Sequence, residues 1–261
     1  MMLSWLQWII LAFVQGMSFA LPISGDAPNA VAFQLFAWPV PGNGFLPAVE
    51  LGALVSLIVF LWPRQRLGWY RRETALPFPG LKVMLAALPV FAANQVLSLE
   101  YFDAAASLPV LTLLAYLSAL GLWSAYYWGG RRETPLLRLD TMLPLLSCAL
   151  LLAMAPGIAL VALTLMVLRG FGHSLLDAFH VALLVLTGYL LLNLSHDLFT
   201  LMLSSVSIYW VDLIQAFFAA FLGMSLALCL MLWLVLRQWL WTLNWLLFLE
   251  ATLLLLIYVT A

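Results

Sequence analysis

Eleven acidic side chains stand in a chain of 261 residues, and several of them sit inside apolar runs. Glu50 opens the run VELGALVSLIVFLW. An ionisable group in such a setting reads as a cavity-lining functional residue or as a hydrogen-bonded structural acid near an interface. Asp26 lies in a stretch rich in proline and glycine, Pro22 to Gly44. There it reads as a catalytic acid, a cation ligand, or the simpler turn and N-cap residue that such loops favour. His173, Asp177 and His180 are spaced to share one helix face. A metal or proton-relay site would use that face, and a structural Asp–His hydrogen bond explains it more simply. His196-Asp197 follows an apolar run and reads as a turn. Asp212 and Glu250 are isolated acids that would face a polar cavity or a partner subunit. Arg169 lies a full helical segment beyond Gly157, too far along to serve the same site. The histidines give no ligand set, and no Walker, zinc-ligand or nucleophile-elbow pattern occurs, so no metal and no cofactor is expected.

The elements that must hold these residues are membrane helices. Apolar residues make up 66% of the chain and charged ones 8%, with a mean hydropathy of +1.10. A soluble domain keeps about a quarter of its residues charged, so lipid must be the solvent here. Net charge is −1, which excludes a nucleic-acid partner. The N-terminus lacks a basic region before its first apolar run and reads as a retained membrane segment. Cys148 and Cys229 lie in apolar runs and read as packing residues. The 12 tryptophans gather near segment ends, where interfacial anchoring explains them.

Apolar runs predict spans at 3–20, 45–62, 83–99, 107–128, 141–168, 175–194, 208–236 and 239–260. The stretch 22–44 differs, because its apolar piece Ala30–Trp38 is too short to cross and reads as a re-entrant half-helix. Pro156-Gly157 interrupts the run 141–168. Two interrupted segments in corresponding halves predict an inverted repeat, with repeat 1 at about 1–130 and repeat 2 at about 141–261. The fold class is therefore an all-α polytopic transmembrane bundle with broken helices. Arg64, Arg66, Arg71, Arg72 and Lys82 form one basic cluster, and Arg131, Arg132 and Arg138 a second. Both are expected on the cytoplasmic side.

IILAFVQGMSFALPISGDAPN, from Ile9, and VELGALVSLIVFLWPR, from Val49, resemble the undecaprenyl pyrophosphate phosphatase family, the bacitracin-resistance proteins of the bacterial inner membrane. APGIALVALT, from Ala155, and FHVALLV, from Phe179, are similar to the family's second motif and the helix after it. Gln15, Gly16, Leu21, Pro22 and Ser24 fit the first motif, and Pro156, Gly157 and Thr164 fit the second. The family's glutamate, second serine and histidine fall on Phe19, Gly25 and Pro28. Its serine, arginine and serine fall on Ala159, Leu160 and Val161.

The resemblance implies an activity that cleaves the terminal phosphate from a polyprenyl diphosphate. That chemistry needs a cation for the diphosphate, an activated nucleophile and stabilised equatorial oxygens. Phenylalanine, proline and leucine supply none of these. The expectation is thus a relative that binds a polyprenyl phosphate or diphosphate with little or no hydrolysis. Its rivals are an active diphosphatase and a structural subunit bound to another membrane protein. The substrate-binding residues that the resemblance suggests are Gln15, Ser18, Ser24, Asp26, Glu50, Gly157 and Thr164.

Overall fold

The computed structural model describes residues 4–21, 32–33, 36, 38, 44–66, 83–89, 91–92, 108–129, 145–146, 160–203, 210–239 and 241–260. Among them are seven α-helices: α1 (Trp5–Ala20), α2 (Phe45–Arg66), α3 (Leu108–Gly129), α4 (Leu160–Gly170), α5 (Leu175–Leu203), α6 (Trp210–Leu236) and α7 (Trp241–Thr260). A short 3-10 turn covers Leu85–Ala87, and no strand occurs among the described residues. Three helical stretches are long and apolar enough to cross a membrane: Phe45–Trp62, Leu175–Leu203 and Trp210–Leu236. The expected runs 3–20, 45–62, 107–128, 208–236 and 239–260 agree with α1, α2, α3, α6 and α7 to within a few residues; α5 extends well past residue 194, α4 covers only the last part of the run 141–168, and the rest of that run and of 83–99 lies mostly outside the described residues.

Local chemistry sets the helix ends. Ser4 and Gln7 form a reciprocal capping box at the start of α1, with the Ser4 amide donating to Gln7 Oε1 at 2.8 Å. α1 stops at Leu21, whose extended backbone suits a residue that precedes proline. At the end of α4, His173 N–H donates to Leu168 C=O at 3.1 Å and Gly172 N–H to Arg169 C=O at 3.0 Å. Gly172 supplies the left-handed residue (φ 89°) that this double bond pattern needs. Ser174 then caps α5, receiving the Asp177 amide at 3.1 Å and donating its hydroxyl to the Asp177 carboxylate at 2.6 Å. α6 ends the same way, with Trp239 N–H to Leu234 C=O at 2.9 Å. There the left-handed position is taken by Gln238 (φ 56°).

α6 is the spine of one half of the bundle. A Cβ added to Gly16 would meet the backbone of Ala220, and one added to Gly223 would meet the Phe13 carbonyl. α1 therefore crosses α6 antiparallel at near-backbone contact, as small residues allow in membranes. Gly52 lies against the Phe217 carbonyl, and Ser56 Oγ is 2.8 Å from Ser225 Oγ, so α2 runs parallel to α6. In the other half, Gly121 of α3 abuts Met166 of α4, and Tyr116 of α3 bonds Thr252 of α7 at 3.2 Å. The outer face of α6 presents Val211, Ile214, Phe218, Leu222, Leu226 and Leu230 at helical spacing. That stripe has lipid as its natural solvent. Cys229, expected to pack inside, lies on the exposed side of α6.

These contacts orient every helix. Tyr126, near the end of α3, donates its hydroxyl to Gln238 C=O just past α6 at 3.0 Å. Arg169, in the last turn of α4, lies within electrostatic reach of Tyr126. The C-terminal ends of α2, α3, α4 and α6 thus share one end of the bundle. α2 closes at Arg66, α3 leads to Arg131 and Arg132, and Arg169 and Arg237 close α4 and α6. The four described basic residues, Arg64, Arg66, Arg169 and Arg237, all stand at that end, and the other six follow α2 or α3 in sequence, outside the described residues.

Candidate functional site

Two faces of α2 do different work. Phe45, Ala48, Gly52 and Ser56 recur at three- and four-residue spacing and meet α6. Glu50, Leu54, Leu57 and Leu61 recur on the other side, towards α5. Glu50 is only 3% exposed and takes a side-chain hydrogen bond from Asn193 of α5. Asp197, one turn after Asn193 on the same helix face, lies within electrostatic reach of Glu50. The second carboxylate oxygen of Glu50, Oε2, is buried and receives no hydrogen bond.

His196 and Asp197 do not form the expected turn. α5 continues through them to Leu203. An α-helix of 29 residues is about 43 Å long, more than the hydrocarbon core of about 30 Å. Its first five turns are mostly apolar, and its C-terminal part carries Asn193, His196 and Asp197 at the end opposite the arginines. His196 stacks edge-on against Phe91, with ring centroids 6.3 Å apart.

Gln15 and Ser18 lie buried on α1. Gln15 continues the α1 face on which Leu11 and Ala12 pack with Ala48 and Val49 of α2 and with Ala216, Ala219 and Ala220 of α6. Gln15 Oε1 is buried without a hydrogen-bond donor. On α6, Gln215 adjoins the same junction beside Ala216, and its Oε1 is likewise without a donor. Ser18 Oγ donates to Gln15 C=O at 2.7 Å, so its proton is already used. Thr164 is fully buried on α4 and donates to Leu160 C=O at 2.9 Å. No hydrogen bond among the described residues joins Thr164 to Gln15 or Glu50. Ser24, Asp26 and Gly157 lie outside the described residues. Ala32 is buried in the α1–α2–α6 junction, with Phe33 and Trp38 packed around it.

The remaining candidates are elsewhere. Asp177 is engaged in capping α5, and His180 follows it by one turn. Arg169 Nη1 donates to His173 C=O at 2.8 Å and so locks the turn between α4 and α5. Asp212 sits in the first turn of α6, where a carboxylate favours the helix N-terminus. Glu250 is half-buried on α7. No group of three or more His, Cys, Asp or Glu side chains able to hold a metal occurs among the described residues. Sequence reasoning missed Asn193, Gln215 and the Ser56–Ser225 pair. The signal for the first was present: Asn193 and Asp197 are four residues apart in a run that is otherwise apolar.

The motif positions that the structure describes are packed as core. Phe19 touches both apolar clusters of the bundle. Val161 is fully buried in the larger one, and Leu160 packs against it.

No protein-family model matches the chain. The chain is 28% identical over 168 residues to an undecaprenyl-diphosphatase of Thermosynechococcus vestitus, covering 59% of each chain. It is 30% identical over 146 residues to one of Moorella thermoacetica, covering 49% of this chain and 51% of the other. It is 27% identical over 190 residues to one of Alcanivorax borkumensis, covering 67% and 69%. The chain thus spans between about half and about two thirds of the length of these relatives.

Proposed function

We propose that this membrane-embedded relative of the undecaprenyl-diphosphatases binds and handles a polyprenyl lipid carrier in the bacterial inner membrane, with little or no hydrolysis of a diphosphate. The observation that carries the reading is the packing of Phe19, Leu160 and Val161. These positions match a glutamate, an arginine and a serine in the family motifs, and here they are filled by core side chains. A diphosphate needs a cationic partner when it leaves water, and removing a single stabilising group from such chemistry costs a factor of about 100 or more. Among the described residues, no lysine or arginine stands in the half of the bundle that holds Glu50.

The reading includes an inverted repeat, with repeat 1 at about 1–130 and repeat 2 at about 141–261. α2 and α5 run antiparallel, as do α3 and α7, which is what a two-fold axis in the membrane plane requires of equivalent helices. The expected re-entry of 141–170 at Pro156-Gly157 and of the stretch 22–44 falls largely on residues outside those described. The positive-inside rule makes the arginine end cytoplasmic.

A second reading, an active diphosphatase, is favoured by the names of the relatives and by the acid pair Glu50–Asp197, which would replace the lost carboxylate. Turnover of a polyprenyl diphosphate by the purified protein, with and without divalent metal, decides between the two. The proposed reading expects phosphate release no higher than from an empty-membrane control. Release well above that control, abolished by Asp26→Asn or Glu50→Gln, would establish the second.

A further inference from the structure

The lipid-facing stripe of α6 does not stop at Leu230. Trp233 and Arg237 continue its helical spacing, and both are exposed. The Arg237 guanidinium lies over the Trp233 ring, 5.9 Å from its centroid. Trp239 meets Trp233 edge-on, with centroids 5.4 Å apart, and so holds from the side the ring that carries the cation. Trp239, Trp241 and Trp245 are exposed where the turn after α6 leads into α7. Such amphipathic rings settle at the headgroup level of a bilayer. Arg237 is the only charged residue between Asp212 and Glu250 in the sequence. Among the described residues the one acid at this end is Asp177, which is held in the Ser174 cap. A helix C-terminus ordinarily repels an anion, because its last carbonyls carry partial negative charge. Here the turn answers them itself. The carbonyls of Trp233, Leu234 and Val235 accept the amides of Arg237, Trp239 and Gln238. Those of Gln238 and Trp239 accept the hydroxyls of Tyr126 and Thr242.

We propose that the end of α6 binds an anionic membrane phospholipid, with its acyl chains along the α6 stripe and its phosphate on Arg237. Stacking fixes the guanidinium plane on one face and leaves its N–H edge for a phosphate, to which arginine presents two parallel bonds. Apolar contact and charge follow one another along a single helix face. Leu222, Leu226 and Leu230 meet the acyl chains, Trp233 lies at the boundary, and Arg237 meets the negative charge one turn further out. A zwitterionic headgroup carries the same phosphate with a cation of its own, which Arg237 would meet as a like charge. The site stands at the opposite end of the bundle from Glu50, and its failure leaves the lipid-carrier reading untouched.

The test titrates the full chain, purified in neutral detergent, with phosphatidylglycerol or with phosphatidylcholine of the same acyl chains. Bound lipid is counted by native mass spectrometry. Phosphatidylglycerol is expected to bind more tightly. Arg237→Gln should weaken its binding by about fivefold, the usual effect of one basic side chain at an anionic surface, and leave phosphatidylcholine unchanged. Arg237→Lys, which keeps the charge and loses the planar fork, should recover part of the loss. Trp233→Leu, which keeps an apolar contact and loses the ring, should weaken phosphatidylglycerol binding with Arg237 still present. Arg64→Gln, on α2 at the same end, should leave it unchanged. Equal binding of the two lipids overturns the proposal, as does a preference that survives Arg237→Gln or Trp233→Leu. A preference that Arg64→Gln reduces as much belongs to the diffuse positive charge of that end and overturns it too. Displacement of the lipid by an equal concentration of inorganic phosphate would mark a soluble-anion site and sink the proposal. A polyprenyl monophosphate that binds more tightly than phosphatidylglycerol, and depends on Arg237, would replace the occupant named here.

Discussion

Ser56 of α2 and Ser225 of α6 share a hydrogen bond of 2.8 Å, one turn beyond the point where Gly52 lies against the Phe217 carbonyl. Ser225 also donates to Phe221 C=O at 2.7 Å, so Ser56 acts as the donor between the two helices. The bond is possible because Gly52 lets the backbones approach. Gly52→Val should therefore abolish the native α2–α6 contact, seen as a large loss of thermal stability in detergent. Ser56→Ala should cost about 0.6 kcal/mol, the average for such bonds between membrane helices. Equal effects of the two substitutions would contradict this packing.

Glu50 depends on Asn193 for its one side-chain hydrogen bond. Asn193→Leu should destabilise the protein by about 1–3 kcal/mol, since it leaves a buried acid unpaired. In the Glu50→Leu background the same change should cost much less. A double-mutant cycle on thermal unfolding measures that coupling, and additive costs would separate the two residues.

Restoring the motif residues should not restore a site. Phe19→Glu and Leu160→Arg each place a charge among core side chains. Each is expected to lower folded yield and to release no phosphate from a polyprenyl diphosphate, singly or together. Phe19→Leu, which keeps the packing, should be tolerated. Phosphate release by the double variant would show that the groove is intact beneath the substituted side chains.

The two helix ends with left-handed residues should respond oppositely. Gly172→Ala places a Cβ at φ 89° and should cost about 1–2 kcal/mol. Gln238→Gly relieves a non-glycine residue at φ 56° and should stabilise by a few tenths of a kcal/mol to about 1 kcal/mol. Thermal unfolding of the two single variants reads both signs.

Orientation is checked by labelling. In a background without Cys148 and Cys229, cysteines at Gly68, Thr134 and Gln238 should react only from the cytoplasmic side. A cysteine at Ser207, in the connection between α5 and α6, should react from the outside of intact spheroplasts. Labelling of Gly68→Cys and Ser207→Cys from the same side would refute the arrangement.

The sequence by itself determined the solvent, the helices and most of their limits. Apolar content and run length require spanning helices whatever their neighbours, because an unpaired backbone in lipid is too costly. It also showed that Phe19, Pro28 and Leu160 carry no charge, because a side chain's charge belongs to the residue alone. It marked Glu50 as an acid out of place without naming what faces it. Only the tertiary structure decided that Asn193 and Asp197, more than 140 residues later, face Glu50, because helix pairing is set by small residues such as Gly16, Gly52 and Gly223 that any apolar run could contain. The extension of α5 through His196-Asp197 was hidden for a related reason. Polar residues end an apolar run, yet they do not end a helix whose backbone bonds continue beyond the membrane.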